Sequence, residues 1–300
     1  MKRFFVLFSL AWVLLPLCAK EAPRPKIGSI GLVMVKAQDE AKSEDFYHRL
    51  ARILLSQELD LRSQGLPILP IESYFPIGTS KAEGKAGENL LRQVGFVTDN
   101  AKVLREWIRK NGYAVGDLKA EFHMRSFSMT DPAGLTISFS EFRNKTARGD
   151  LTPNGTSGVR VIHAGWVVRD RAAMDKFYKD VLGFRVYWHG GMKDGDTDWV
   201  DMQVPDGTDW IEYMLNVPEN ADKQTLGVMN HVAICVPNVR VAAKVLESHG
   251  MKLRELPQIG RDGKWQLNLY DPDDTRVELM EFTPVEKPCC AEFTGPHPEP

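Results

Sequence analysis

The chain runs to 300 residues, 43% of them hydrophobic and 26% charged, which is enough for two ordinary globular domains. Its formal net charge of −2 comes from 38 basic and 40 acidic side chains in no segregated blocks, so the concentrated basic surface of a nucleic-acid binder is excluded. Ordinary apolar content excludes low-complexity disorder, and four cysteines without paired CxxC spacing exclude a disulfide scaffold and a zinc ribbon. What remains is a folded protein acting on a small molecule.

Lys2 and Arg3 precede an apolar run from Phe4 to Leu17. This run is shorter than the about 20 residues of a membrane span and fits the h-region of a secretory signal peptide over residues 1–19. Cleavage after Ala19 removes Lys2 and Arg3 and leaves a secreted or periplasmic mature chain with no integral membrane span. A lipid anchor on Cys18 is the alternative, disfavoured by the bulk of Leu17. Two halves follow, 27–145 and 159–286, joined by a Thr-, Asn- and Gly-rich linker over 146–158 that contains Pro153. The tail, 287–300, holds Cys289-Cys290 and the spaced prolines Pro296, Pro298 and Pro300 and is expected to be mobile. Its cysteine pair could bind metal or form a vicinal disulfide; two thiols in a flexible end is the plainer expectation.

Each half repeats itself. Gln93 to Gly112 and His231 to Gly250 share one pattern: an apolar strand, an Asn-containing turn, an amphipathic helix and a terminating Gly. Downstream, Asp131-Pro132 with Leu135 to Phe142 matches Asp271-Pro272 with Thr275 to Phe282 without a gap. The opening of each half carries the same shape, with Phe46-Tyr47 echoing Phe177-Tyr178 in the helix. The chain is therefore four units, each a strand, a helix and several shorter strands. In the third, the later strands are expected over Arg185–Trp188, Trp199–Val204 and Trp210–Val217.

Four segments carry a resemblance: Val161 to Trp166, Phe177 to Phe184, Asn230 to Ile234, and Leu269 to Glu278. The pattern resembles the vicinal oxygen chelate superfamily, which includes glyoxalase I, bleomycin-resistance proteins, methylmalonyl-CoA epimerase and the extradiol dioxygenases. The resemblance is strong over 159–283 and weak over 27–90. It implies an α+β fold of four βαβββ units, paired into two cupped mixed sheets. It also implies metal ligands on the first and last strands of each unit of the second pair. Carried over by position, these are His163 and Glu212 in the third unit and His231 and Glu278 in the fourth. The first pair is degenerate: Gln93 stands in place of His231, Ser138 in place of Glu278, and Leu32 or a near neighbour in place of His163. Glu281, by contrast, has a counterpart in Glu141 and reads as scaffold or surface.

Strand alternation tests this set independently, because Glu278 and Glu281 must point to opposite faces. Glu212 lies in the apolar run Trp210 to Leu215, where a buried carboxylate is costly unless a cation meets it. Cys235 shares the His231 face and reads as core lining. His48, His123, His249 and His297 read as surface or tail residues, and His189 as one that closes a strand near a pocket mouth. Two imidazoles and two carboxylates suit one divalent ion among Zn²⁺, Ni²⁺, Co²⁺, Mn²⁺ and Fe²⁺.

Three activities follow from the resemblance. A glyoxalase-like lyase or isomerase, with Glu212 or Glu278 as catalytic base, is favoured by the fourth ligand. An extradiol-type ring-cleaving dioxygenase would use Fe(II) on His163, His231 and Glu278. It matches the layout of a metal-free first pair, but this sequence has no His between Gly250 and Glu278 to act as the family's acid–base residue. A non-catalytic binding protein of the bleomycin-resistance type is the third, and the metal residues argue against it. The expected partner is a small-molecule substrate, and a homodimer is one possible assembly.

Overall fold

The computed structural model describes residues 23–56, 77–85, 87–121, 123–142 and 159–299; the expected leader and linker lie outside them. The first unit has β1 (Ile27–Ala37), α1 (Glu40–Ser56) and β2 (Ile77–Lys81). The second has β3 (Leu91–Thr98), α2 (Ala101–Lys110), β4 (Lys119–Glu121), β5 (Met124–Thr130) and β6 (Thr136–Phe142). In the third, β7 (Arg160–Val167) leads into α3 (Arg171–Asp175), which continues as a π-helix over Lys176–Val181. Then come β8 (Arg185–Gly190), β9 (Trp199–Gln203) and β10 (Trp210–Met214). A short α4 (Lys223–Met229) precedes the fourth unit: β11 (His231–Cys235), α5 (Val239–Ser248), β12 (Gln258–Ile259), β13 (Trp265–Tyr270) and β14 (Arg276–Met280).

The repeat is visible in how the helices begin and end. Asn100 and Asn238 accept from the N–H groups of Val103 and Val241, so each caps its helix. Glu141 and Glu281 accept the first helical N–H of Ala101 and Val239, where an anion also meets the positive end of the helix dipole. Glu281 is thus part of the scaffold. Gly112 and Gly250 end these helices at φ +89° and +75°, a region that penalises a Cβ.

The strands form two mixed sheets, a six-stranded one in the order β2-β1-β3-β6-β5-β4 and an eight-stranded one in the order β12-β13-β14-β11-β7-β10-β9-β8. In each, the opening strands of two units pair antiparallel, β1 with β3 and β7 with β11. Each unit's last strand returns parallel to its first. This is an α+β fold of paired βαβββ-like units, curled into two sheets. One core runs through both halves, joining Phe96 and Phe139 to Phe184, Trp166 and Tyr178.

Two buried tyrosines fasten the halves reciprocally. Tyr47 donates to Asp271 Oδ2 at 3.0 Å, and Tyr178 donates to Asp131 Oδ2 at 3.2 Å. In both aspartates Oδ1 accepts two backbone N–H groups of its own turn, so Asp-Pro shapes the turn and tyrosine consumes the remaining oxygen. Burial pushes both carboxyls up to about 6. Tyr47→Phe and Tyr178→Phe each orphan a buried carboxyl oxygen and are expected to cost about 1–3 kcal/mol, read as a lower denaturation midpoint at unchanged slope.

The tail departs from expectation. Residues 287–299 lie against the eight-stranded sheet: Phe293 packs on Tyr187 with ring centroids 4.8 Å apart, and Thr294 donates its N–H to the Tyr187 carbonyl. Gln203 donates to the Pro296 carbonyl, and His297 meets the Tyr187 hydroxyl. Cys289 and Cys290 are joined as a vicinal disulfide, with the Cys289 carbonyl accepting from Trp188 Nε1. Proline-rich composition suggested mobility, but an aromatic anchor and separate backbone hydrogen bonds to the Arg261 and Tyr187 carbonyls seat the segment.

Candidate metal centre

All four residues named from the sequence sit on the concave face of the eight-stranded sheet. His163 and Glu212 come from the parallel neighbours β7 and β10, His231 and Glu278 from β11 and β14. The two Nε2 atoms stand 3.1 Å apart, and Glu212 Oε2 lies 3.1 Å from His231 Nε2. Glu278 Oε2 is 3.7 Å from His163 Nε2 and 3.9 Å from His231 Nε2. His163, Glu212 and His231 offer ligand atoms all within 4.8 Å of one another. Donors about 2.1 Å from one shared ion stand roughly 3–4 Å apart, so this spacing fits a single divalent cation.

The neighbours explain the convergence. Gly165 lies opposite His231 in the ladder, and a Cβ there would fall 2.2 Å from His231 Cε1, so the imidazole occupies space that only glycine leaves. His231 Nδ1 meets the Met229 carbonyl at 3.3 Å, which presents Nε2 to the centre. Trp210, opposite His163, lies 4.8 Å from its ring. His163 Nδ1 is buried without a partner. Two imidazole nitrogens and two carboxylates converging at these distances form a donor set that a cation satisfies.

The first half carries the control. By register, Leu32 takes the place of His163, Met34 that of Gly165, Gln93 that of His231, Gly78 that of Glu212 and Ser138 that of Glu278. There Gln93 Nε2 donates to Ser138 Oγ at 2.8 Å, a neutral bond in place of a ligand pair. Met34 fills the cup, since a Cβ at Gly78 would strike its sulfur at 2.6 Å. The fold is built equally well without imidazoles or carboxylates at these positions.

Burial sets the charge states. It holds His163 well below the ordinary imidazole range, helped by His231 and Arg276, and it does the same to His231, with Arg276 again contributing. Burial pushes Glu212 and Glu278 each up to about 7, against the opposing pull of Arg276. Without metal the imidazoles are neutral and the carboxyls hold protons below about pH 7, so a cation must displace carboxyl protons. Divalent-metal affinity is therefore expected to rise at least tenfold between about pH 5.5 and 7.5, read by calorimetry in two buffers of different ionisation heat. In the metal-free protein the raised carboxyls contribute stability below the ordinary glutamate range that is lost as pH climbs through about 7. The lowered imidazoles work the other way, costing stability as pH falls below the ordinary imidazole range.

Several functional-looking residues escaped the sequence reading. Lys264 is fully buried, its ammonium 4.4 Å from the Trp210 ring centroid and 5.0 Å from that of Phe293. Asp201, opposite Glu212, is buried and pushed well up by burial and by Glu212. Alternation places both Asp201 and Arg276 on the cup face, a signal present in the sequence; nothing there marked Lys264 as buried. Trp166 and Tyr213 face the opposite core, while Trp210 touches the centre.

Residues 160–279 match the model of the Glyoxalase/Bleomycin resistance protein/Dioxygenase superfamily, a span that contains all four residues. This match assigns residues 160–279 to the superfamily. Among solved structures, a variant of homoprotocatechuate 2,3-dioxygenase from Brevibacterium fuscum in complex with HPCA superposes with a TM-score of 0.58 at 18% identity, covering 87% of this chain and 73% of that one. The enzyme of the same name from Arthrobacter globiformis gives a TM-score of 0.55 at 17% identity, covering 87% and 82%. No curated protein matches the sequence. Family and candidate centre together make the chain a metal-dependent enzyme acting on a small molecule. Among the described residues no helix is long and apolar enough to cross a membrane.

Proposed function

We propose that the protein is an extradiol-type ring-cleaving dioxygenase acting on a catechol-like substrate with Fe(II) held by His163, His231 and Glu278. The observation that carries the reading is the layout. A metal-poor pair of units precedes a pair with the centre, in one chain whose fold matches homoprotocatechuate 2,3-dioxygenases over 87% of its length. Two imidazoles and one carboxylate form the donor set that suits non-haem Fe(II) with open positions. The metal would supply a chelation point for two vicinal oxygens and the redox chemistry of dioxygen. Glu212 takes the proton of a substrate hydroxyl: its Oε2 lies at the centre, 3.1 Å from His231 Nε2, and no His lies between Gly250 and Glu278 to do so. Trp210 holds the His163 ring in place. Export by the leader over 1–19 is part of the proposal, and a processed N-terminus at Lys20 in the protein from its native host would support it.

Glu212 also favours a second reading, a glyoxalase-like lyase or isomerase, because its Oε2 lies as close to His231 Nε2 as the His163 nitrogen does. Iron-loaded protein mixed with a catechol series decides between them. Stoichiometric oxygen uptake with a yellow ring-opened product supports cleavage. No uptake with any catechol, together with disappearance of an α-keto hemithioacetal under Zn²⁺ or Ni²⁺, replaces it with the second reading.

A further inference from the structure

Buried polar atoms in native proteins are almost always hydrogen-bonded, so those without partners show what a site awaits. On the concave face, the Nε of Arg276 is enclosed with no acceptor. The side chain is 16% exposed, and Glu278 Oε2, its ion-pair neighbour, stands 3.9 Å from Nη1, beyond hydrogen-bond distance. Burying a cation is costly unless it is paired, so a mostly enclosed guanidinium without a hydrogen-bonded anion is an unfavourable arrangement. Two further orphans share the face: Asn268 Oδ1, opposite Glu278 in the ladder, and Asp201 Oδ1, opposite Glu212.

The position of Arg276 defines what it would bind. Residues 276 and 278 lie two apart on β14, and alternation puts both on the cup face, about 7 Å from each other along the strand. A ligand whose paired oxygens reach the centre beside Glu278 therefore presents an atom one or two carbons farther on to the guanidinium. The planar fork of Arg276 matches a carboxylate, with two parallel charge-assisted bonds. Asn268 and Asp201 add acceptors suited to hydroxyl groups.

We infer that Arg276 is the anion-binding subsite of the centre, and that the substrate is a vicinal-oxygen chelator carrying a carboxylate within one or two carbons of the chelating pair. The inference rests on the centre chelating vicinal oxygens, and not on ring cleavage.

Hydroxamates test it, because they chelate divalent metals through two adjacent oxygens whatever the natural reaction. Cobalt-loaded protein is titrated with acetohydroxamate and with malonomonohydroxamate, which adds one carboxylate, and followed by the cobalt spectrum and calorimetry. Wild type is expected to bind the carboxylate-bearing probe at least about tenfold more tightly. In Arg276→Met the ratio falls to within about twofold at unchanged cobalt content, and Arg276→Lys restores part of it. Equal affinities in wild type, or a ratio that survives Arg276→Met, overturn the inference. If Arg276→Met does not fold, Arg276→Gln carries the same comparison, and the wild-type ratio decides without any variant. A protein that shows the ratio but consumes no oxygen with catechols loses only the ring-cleavage reading; one that consumes oxygen without the ratio loses this one.

Discussion

His231→Ala is expected to lower divalent-metal affinity by at least about 100-fold, whereas Glu281→Ala leaves it within about twofold of wild type. The contrast is informative because both residues are polar and both stand at a strand end in the fourth unit, His231 opening β11 and Glu281 just past β14. His231 is fully buried, with Nε2 within 3.1 Å of both His163 Nε2 and Glu212 Oε2. Truncation removes a donor that no neighbour replaces. Glu281 faces the other side and accepts the Val239 N–H at 3.0 Å, so its loss costs a helix cap, about 0.5–2 kcal/mol, and no metal. Two readouts thus move in opposite variants: calorimetric metal titration for His231→Ala, and denaturation midpoint for Glu281→Ala. Equal metal retention in both would remove the ligand assignment and leave the architecture standing.

Much of this arrangement was legible because the chain repeats itself. The alignment of Gln93 with His231 and of Ser138 with Glu278 is the alignment of the ladders, since β3 pairs with β6 as β11 pairs with β14. Period-two alternation separated Glu278 from Glu281 correctly, because both lie on a short, regular strand and its immediate continuation. The echo of Phe46-Tyr47 in Phe177-Tyr178 was visible, but its meaning was not: a hydroxyl finds its partner 224 residues away only once the halves dock. The tail was misjudged for a related reason. Composition measures what a segment can do alone, and the ring of Phe293 finds Tyr187 only in the assembled cup. Lys264 and Arg276 escaped notice because a single cation in or beside a strand ordinarily snorkels to water, and only three-dimensional packing shows that these two do not.

Gly165→Ala is expected to be the mildest substitution in chemistry with one of the largest effects on the centre. The residue is not among the glycines with positive φ, so its backbone accepts a side chain, and alanine restricts the unfolded strand more than glycine does. The nearest obstacle is the imidazole lying across it: an added Cβ falls 2.2 Å from His231 Cε1, 2.8 Å from Nδ1 and 2.9 Å from Nε2. No contact this close persists, and the ring is the part that can turn. Its rotation breaks the Nδ1 contact with the Met229 carbonyl and swings Nε2 away from Glu212 and His163. The first half shows that the strand itself does not demand glycine, because Met34 holds the matching position opposite Gln93. Metal affinity should therefore fall by about 10- to 100-fold while stability changes by no more than about 1–3 kcal/mol. Calorimetric titration gives the first quantity and urea unfolding of the metal-free protein the second. The decisive sign is their separation: a variant that loses both in proportion has been damaged as a fold, and one that keeps full affinity shows that His231 reaches the centre without needing the space glycine leaves.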